Sequence, residues 1–455
     1  MHLDGQTQCD LELFQSPVTG QSIFDTLDQT RTLDGKRALK KRFANPLSEV
    51  SGIRQVQEIV KFLATHASQE MFPFSQVDLD AVDRYLNTNF HIIEPAQSIF
   101  AKVKEEWLAF RNPEFTHFVT REPWTLLDFL KKARAFFDRF PSDALPDQLR
   151  EDVCLLRAIF GSAVVAEALQ IPSETGLSFH NSLKLDWHFR KELKMELLRL
   201  FERLVDLDAF LSMAKAFRKH SLVFPEFVNR TTPLVSIHGV FHPFVDTPVL
   251  NDFKLDEEKN LLFLTGPNMA GKTTYLKAVC VAVLLAHVGM GVPATEMRLT
   301  PFSHIFFTLQ AVDNIREGIS SFFSEVRRVK MVVEAMRQNG RVFAIFDELF
   351  KGTNVKDALD CSCAVINGLA MCPGHIFLVS SHLLELHELV SARKSIDCHH
   401  FHGKIIEGKI WFDYQLKPGV NDQRLGFRIL QETGIIGLLE EAGSNDSTSV
   451  LTPAS

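Results

Sequence analysis

Residues 261–274 read LLFLTGPNMAGKTT, and the rest of the chain is organised around them. Leu261 to Thr265 are apolar or β-branched and run into Gly266-Pro267, the pattern of a short buried strand ending in a turn. Gly266-x4-Gly271-Lys272-Thr273 follows, with Pro267, Asn268, Met269 and Ala270 between the glycines. This is phosphate-loop spacing: the glycines let the backbone turn tightly and aim N–H groups at phosphate oxygens. Lys272 has the reach for the β- and γ-phosphates, Thr273 offers a hydroxyl to Mg²⁺, and Thr274 completes the stretch. Tyr275 to Leu285 holds no helix breaker, which predicts a helix whose N-terminus faces the anion. Strand before and helix after are the setting this spacing requires. The stretch reads as a nucleoside triphosphate site, with ATP and Mg²⁺ as the expected ligands.

At 455 residues the chain has length for two to four domains and substantial cores. Charged residues at 23% and hydrophobic ones at 45% are those of a globular protein. A formal net charge of -7 excludes a general polyanion binder, so nucleic-acid contact requires a local basic surface. The first residues lack the charged-then-apolar build of a signal peptide. The longest apolar run, Ala278 to Leu285, is too short to span a bilayer, so no membrane partner is expected. The seven cysteines, Cys361 and Cys363 included, read as small core residues in a reducing cytoplasm rather than as a zinc site.

Along the chain, residues 1–20 show no period and read as a loose leader. Ile23, Leu27, Leu39 and Phe43 have helical spacing interrupted near Thr32 to Gly35, and Ile53, Val56, Ile59, Val60 and Leu63 mark another amphipathic helix. Lys36, Arg37, Lys40, Lys41 and Arg42 form a basic group, read as a solvated helix face in preference to a nucleic-acid contact. Residues 75–222 read mainly as helix: Val103 to Phe110, Thr125 to Arg139, Gln148 to Leu169, and Leu183 to Phe217. The last is long enough to act as a lever. His180, Trp187 and His188 near its start read as packing or surface residues, since no acidic or thiol partner shares their spacing. From Pro225 the composition shifts to short β-rich runs. Beyond the phosphate loop, strands and helices alternate, the signal of a mostly parallel α/β sheet. Gly443 to Ser455 is small and polar and reads as a disordered tail.

Three further blocks supply chemistry. Arg341 to Glu348 (RVFAIFDE) is an apolar strand ending in two acids: Asp347 to hold Mg²⁺, and Glu348 to orient and deprotonate the attacking water. His375 to Ser380 is another strand, placing His382 at the ligand crevice of an open sheet, where it senses the γ-phosphate or positions the water. Between the phosphate loop and the Arg341 strand, Ser321 reads as a helix N-cap, with Ser324 and Glu325 in the first turn.

These four blocks, in this order, resemble the MutS family of ATPases, relatives of the ABC class. GPNMAGKTT is close to that family's phosphate loop. His242-Pro243 and Asn251-Asp252 resemble its His-Pro and Asn-Asp elements, Ser320-Ser321-Phe322 its Ser-Thr-Phe, Asp347-Glu348-Leu349 its DEL, and Ser381-His382 its Thr-His. Thr30-Arg31-Thr32, Gly35, Arg37 and Pro46-Leu47 resemble the start of its core domain, and Asp208 with Ser212-Met213-Ala214 the return of its lever helix. The likeness runs over residues 20–440. It implies a multidomain α and α/β protein: a helical core and lever over 21–224, then an ABC-type P-loop ATPase domain with a mostly parallel sheet over 225–442. It also implies a homodimer with composite ATP sites, in which Asn268, Ser320 and Ser321 lie at the seam and complete the partner's site, and coupling of ATP to a grip on duplex or branched DNA.

Some departures carry expectations of their own. Core-like sequence starts near residue 20, so the family's mismatch-reading and connector domains are expected to be missing and mismatch recognition by this chain alone is not expected. The family's DELGRGTS becomes Asp347-Glu348-Leu349-Phe350-Lys351-Gly352-Thr353-Asn354, with a bulky Phe350 expected in the dimer-facing loop. The aromatic residue that stacks on adenine in relatives is replaced by Pro248 or Val249. The leading reading is a Mg²⁺-dependent ATPase acting on DNA. A nucleotide-switched scaffold with negligible turnover, favoured by Phe350, is the alternative from another class, and the charge balance leaves an RNA or ribosome partner open.

Overall fold

The computed structural model describes residues 1–16, 20–67, 72–95, 107, 109–170, 178–267, 269–309, 321–338, 340–406, 409–420, 434–439 and 442; at 321, 384, 405–406 and 409–410 the backbone alone is described. The helix expected over Val103 to Phe110, most of the seam-forming segment before Ser321, and the expected tail therefore lie largely or wholly outside the described residues.

Between residues 20 and 220 the described chain is helical, and its boundaries follow side-chain chemistry. Ser22, Thr32, Ser75, Ser162 and Ser178 each accept the amide N–H three residues on, opening the helices Ile23–Leu27, Leu33–Ala44, Gln76–Asn87, Ala163–Leu169 and Phe179–Trp187. Ser162 thereby splits the single helix expected over 148–169 into Asp147–Gly161 and Ala163–Leu169. The long lever is also broken: a π turn at His188–Glu192 separates Phe179–Trp187 from Lys194–Lys219. At that break His188 does have an acidic partner, since its Nδ1 lies 2.5 Å from Glu192 one turn on, and its Nε2 lies 3.0 Å from the Ser162 hydroxyl. Those two contacts tie the ring between the helices Ala163–Leu169 and Phe179–Trp187. Beside it Asp186 is fully buried, held by two N–H groups of Arg190 at 2.7 Å and by the Tyr85 hydroxyl at 2.9 Å. Every charge there has a partner, the condition under which burial is tolerated.

The lever helix Lys194–Lys219 packs on Leu33–Ala44 and Val50–His66. Its buried Asp208 accepts the Arg31 and Thr32 N–H groups and the Thr32 hydroxyl, and Ser212 accepts the Gln29 N–H. Three of the five residues of the basic group have acidic partners nearby. Lys36 pairs with Asp25 and Asp28, Arg37 with Asp34, and Arg42 with Asp206 while stacking on Phe210.

Eleven strands follow among the described residues: β1 His2–Leu3, β2 Glu226–Phe227, β3 Val235–Val240, β4 Asn251–Leu255, β5 Leu261–Thr265, β6 Glu296–Leu299, β7 His304–Thr308, β8 Val342–Asp347, β9 Ile376–Ser380, β10 Ile396–Ile406 and β11 Lys409–Pro418. The main sheet has the order β1-β7-β8-β9-β5-β10-β11; its first six strands are parallel and β11 returns antiparallel to β10. A smaller sheet, β2-β6-β3-β4, lies beside it. β5, β8 and β9 are buried at every residue, as strands covered on both faces must be. The helix Lys272–Val288 is apolar nearly all round and buried along its length behind the sheet.

Of the leader expected over residues 1–20, residues 1–16 are instead fastened to this sheet. β1 pairs parallel with β7, a short helix Gly5–Asp10 follows, and Leu3, Leu11 and Leu13 enter the core. Arg328 is the fastening. Its guanidinium pairs with Asp4 and also donates to the Thr7 hydroxyl at 2.7 Å, the Phe307 carbonyl and the Thr308 hydroxyl. Lys277 reaches Glu12 at 2.6 Å.

Candidate nucleotide site

The sheet order explains how distant motifs meet. β9 lies between β5 and β8, so the phosphate loop and the two acids leave strands two places apart, on the order of 10 Å. That gap accommodates a phosphate chain, a metal ion and a water. In the loop Gly266 has φ +142° and Gly271 φ +98°, and a Cβ on Gly266 would stand 2.9 Å from the Phe401 carbonyl oxygen. Only glycine fits there. Met269, 84% exposed, forms the outer rim, and Asn268 lies outside the described residues.

Lys272 is buried and its ammonium donates to the carbonyls of Gly266 at 2.7 Å and Pro267 at 3.2 Å, so it lies folded inside its own loop. Burial lowers its pKa, the state of a cation short of compensating negative charge. The Thr273 hydroxyl donates to Asp347 Oδ2 at 2.5 Å. Two hard oxygen donors thus converge beside Lys272, the donor chemistry Mg²⁺ takes, so the residues fit that ion. The other oxygen of Asp347 is held by the Ser380 hydroxyl.

Glu348 follows at φ +59°, a conformation that costs a non-glycine residue roughly 1 kcal/mol. Its carboxylate lies 2.7 Å from the Lys351 ammonium and 3.8 Å from His382 Nδ1. Burial opposes its charge, yet the Lys351 hydrogen bond and the nearby cations hold its pKa below the ordinary value. It is therefore a charged acceptor at neutral pH. The structure thus brings Lys272, Thr273, Asp347, Glu348 and His382 to one end of the sheet. Of the residues expected at a dimer seam, Asn268 and Ser320 lie outside the described residues. Ser321 is the first described residue of the helix Ser321–Met336, and the residues before it, on which the expected cap depends, lie outside the described residues.

Phe350 is a correction. Its side chain is not exposed in the loop: the residue is 3% exposed, takes a left-handed φ of +59°, and packs against Phe322 with ring centroids 5.6 Å apart. Behind the loop Glu325 is buried, and burial raises its pKa although the backbone amides of Phe350 and Lys351 nearby favour its charge.

Above the loop opens a cavity of about 590 Å³, lined among others by Phe241, Val245, Pro248 and Tyr414. Tyr414 was not legible in the sequence as a site residue. It comes from β11, and Asn251 fixes it by donating to the Tyr414 carbonyl at 2.9 Å and accepting from Leu416 N–H at 2.7 Å. Its ring edge lies 3.2 Å from where a Cβ on Gly271 would stand, and 47% of the residue is exposed. The cavity therefore has an aromatic wall, though Pro248 and Val249 supply none. Ser380 and Lys351 were likewise missed; both sit beside legible motif residues, but their roles depend on strand register and loop conformation.

Residues 262–444 match the family model described as MutS domain V. Similar proteins include the DNA mismatch repair protein MutS of Geobacillus thermodenitrificans, 31% identical over 261 residues, 55% of this chain and 28% of that protein. That of Lactobacillus johnsonii is 28% identical over 278 residues, 59% and 32% of the two chains. That of Geobacillus kaustophilus is 29% identical over 293 residues, 61% and 31%. The chain spans about a third of the length of the relatives it matches.

Proposed function

We propose, on the match of residues 262–444 to MutS domain V, that the protein is a MutS-type, Mg²⁺-dependent ATPase that couples nucleotide turnover to a grip on duplex or branched DNA. The observation that supports it most is the convergence of Lys272, Thr273, Asp347, Glu348 and His382 at the ends of β5, β8 and β9. Lys272 exchanges its carbonyl partners for phosphate oxygens, joined by the loop amides. Glu348 accepts the proton of the attacking water, and His382 lies close enough to help place that water. Thr273 and Asp347 would hold Mg²⁺, which when bound neutralises charge developing on the phosphates. Tyr414 supplies a stacking face for the base.

Two substitutions test this. Lys272→Ala should abolish tight ATP binding in a direct titration. Glu348→Gln should keep binding while hydrolysis falls by about two orders of magnitude, the usual worth of a positioned base, and should accumulate an ATP-bound homodimer in light scattering. Unchanged affinity in the first or unchanged turnover in the second overturns the assignment.

The DNA arm is supported by the relatives' names, and its contacts are assigned to the helices of residues 21–224, acting through phosphates and without preference for a mismatch. One observation favours the second reading, a nucleotide-switched scaffold: Lys351 occupies Glu348 at 2.7 Å. Turnover that stays negligible with Mg²⁺-ATP and DNA, alongside tight binding, selects it. No helix among the described residues is long and apolar enough to cross a membrane.

A further inference from the structure

We propose that Ser380 is a positioning residue for the hydrolytic reaction, its hydroxyl fixing the metal-holding Asp347 and the main chain of Glu348 together. The inference rests on the ATPase reading above and deepens it. Ser380 is the last residue of β9, fully buried, and in strand register with Asp347 of β8 and Leu264 of β5. The phosphate-loop strand and the acid-bearing strand therefore meet across it.

The hydroxyl has one proton to give and lone pairs to receive with. It donates to Asp347 Oδ1 and lies 3.2 Å from the Glu348 amide, whose N–H also points to the Ser380 carbonyl at 3.2 Å. Both partners of the hydroxyl are thus the paired acids. A buried hydroxyl is unfavourable in an apolar strand unless bonded, and pairing of β9 with its neighbours runs through main-chain groups that alanine would leave intact. The hydroxyl serves the acids and not the strand.

Asp347 has each carboxylate oxygen held by a different hydroxyl, Oδ1 by Ser380 and Oδ2 by Thr273 at 2.5 Å. Thr273 is the hydroxyl offered to the metal. Once it is so engaged, Ser380 is the side chain that keeps Asp347 oriented. On its other side Ser380 meets the amide of Glu348, the residue at φ +59°, and helps keep that unfavourable backbone in the pose that aims the carboxylate at the crevice.

The test separates metal-dependent from metal-independent binding of a non-hydrolysable ATP analogue. Wild type, Ser380→Ala and Ser380→Thr are titrated in EDTA and in Mn²⁺, with Mn²⁺ binding followed by its electron paramagnetic resonance signal, and kcat is measured with Mg²⁺-ATP. In Ser380→Ala the EDTA affinity should stay within about twofold, while the affinity gained on adding Mn²⁺ and kcat each fall by about tenfold, the low end for a hydrogen bond to a charged group. Ser380→Thr, which keeps the hydroxyl, should regain most of both. Unchanged Mn²⁺ affinity and kcat in Ser380→Ala overturn the proposal. So does an equal loss of affinity with and without metal, which marks a merely structural residue. If wild type gains no affinity from Mn²⁺ at all, the ATPase reading itself is overturned, a result visible before any variant is compared.

Discussion

Lowering the pH from 7 to 5 should cost this protein about 2 kcal/mol of stability through His287 alone. His287 lies near the end of the helix that starts at the phosphate loop and is completely buried. Its Nδ1 is 2.8 Å from the Val283 carbonyl and its Nε2 accepts the Phe302 N–H at 2.9 Å. That pair of bonds assigns the neutral ring with the proton on Nδ1, because a second ring proton would face the Phe302 donor. Burial pushes the pKa down from 6.5 to about 4. A depressed histidine pKa means the unfolded chain binds the extra proton first. Stability is therefore full above pH 6.5 and is lost as pH falls through 6.5 towards 4, after which the loss levels off. With these two values the loss is roughly 0.2 kcal/mol at pH 7 and about 2 kcal/mol at pH 5. Other histidines titrate in the same range, so the assay is a comparison: urea unfolding of wild type and His287→Phe at both pH values. The variant forfeits its two hydrogen bonds at either pH, lowering stability throughout, but its stability should fall by about 2 kcal/mol less between them. Parallel losses in the two proteins refute the buried neutral ring.

Asp4→Ala should destabilise by about 3 kcal/mol in the same unfolding assay, because it strands the buried Arg328 guanidinium without its carboxylate; a change near zero would show that residues 1–16 do not brace the sheet. Tyr414→Ala should weaken ATP binding by about tenfold, the value of one lost base stack, and leave inorganic tripolyphosphate binding unchanged; equal losses for both ligands would place the ring on the phosphates instead. For DNA, affinities for a homoduplex and for the same duplex with one mismatch should agree within about 1 kcal/mol and both fall steeply with salt, because phosphate contacts release counterions. A clear mismatch preference refutes that picture, and no salt-sensitive binding to any DNA supports the scaffold or an RNA partner.

The candidate site residues were legible because each lies in or next to a short run whose chemistry is local. The Leu261–Thr265 strand, the glycine spacing and the Phe346-Asp347-Glu348 ending need nothing from elsewhere to be recognised. Tyr414 was not legible, since the strand Lys409–Pro418 carries three aromatic candidates, Trp411, Phe412 and Tyr414, and Tyr414 is placed by Asn251, far away in sequence. Residues 1–16 were misread for another reason: two strand residues and a six-residue helix are too short for any period to register, and what holds them is Arg328. Phe350 illustrates the reverse error. A large side chain at a glycine position suggested an obstacle, but its backbone keeps the left-handed turn while its ring finds Phe322. Likewise the unbroken helical spacing around His188 concealed a π turn, whose cause is the packing of buried Asp186, Arg190 and Tyr85.

The strand order also sets a schedule for the chain as it leaves the ribosome. β5 carries the phosphate loop in the middle of the sheet, yet its two neighbours, β9 and β10, are translated much later, and β1 waits for β7. At synthesis rates of about 5–20 residues per second the helical region can pack on itself while β5 still has no partner. Through that interval the all-apolar Leu261–Thr265 and the buried face of Lys272–Val288 are bare, the kind of surface on which nascent chains aggregate. Expression at lower temperature or with chaperone support should therefore raise the yield of this protein more than that of a chain whose sheet pairs in sequence order.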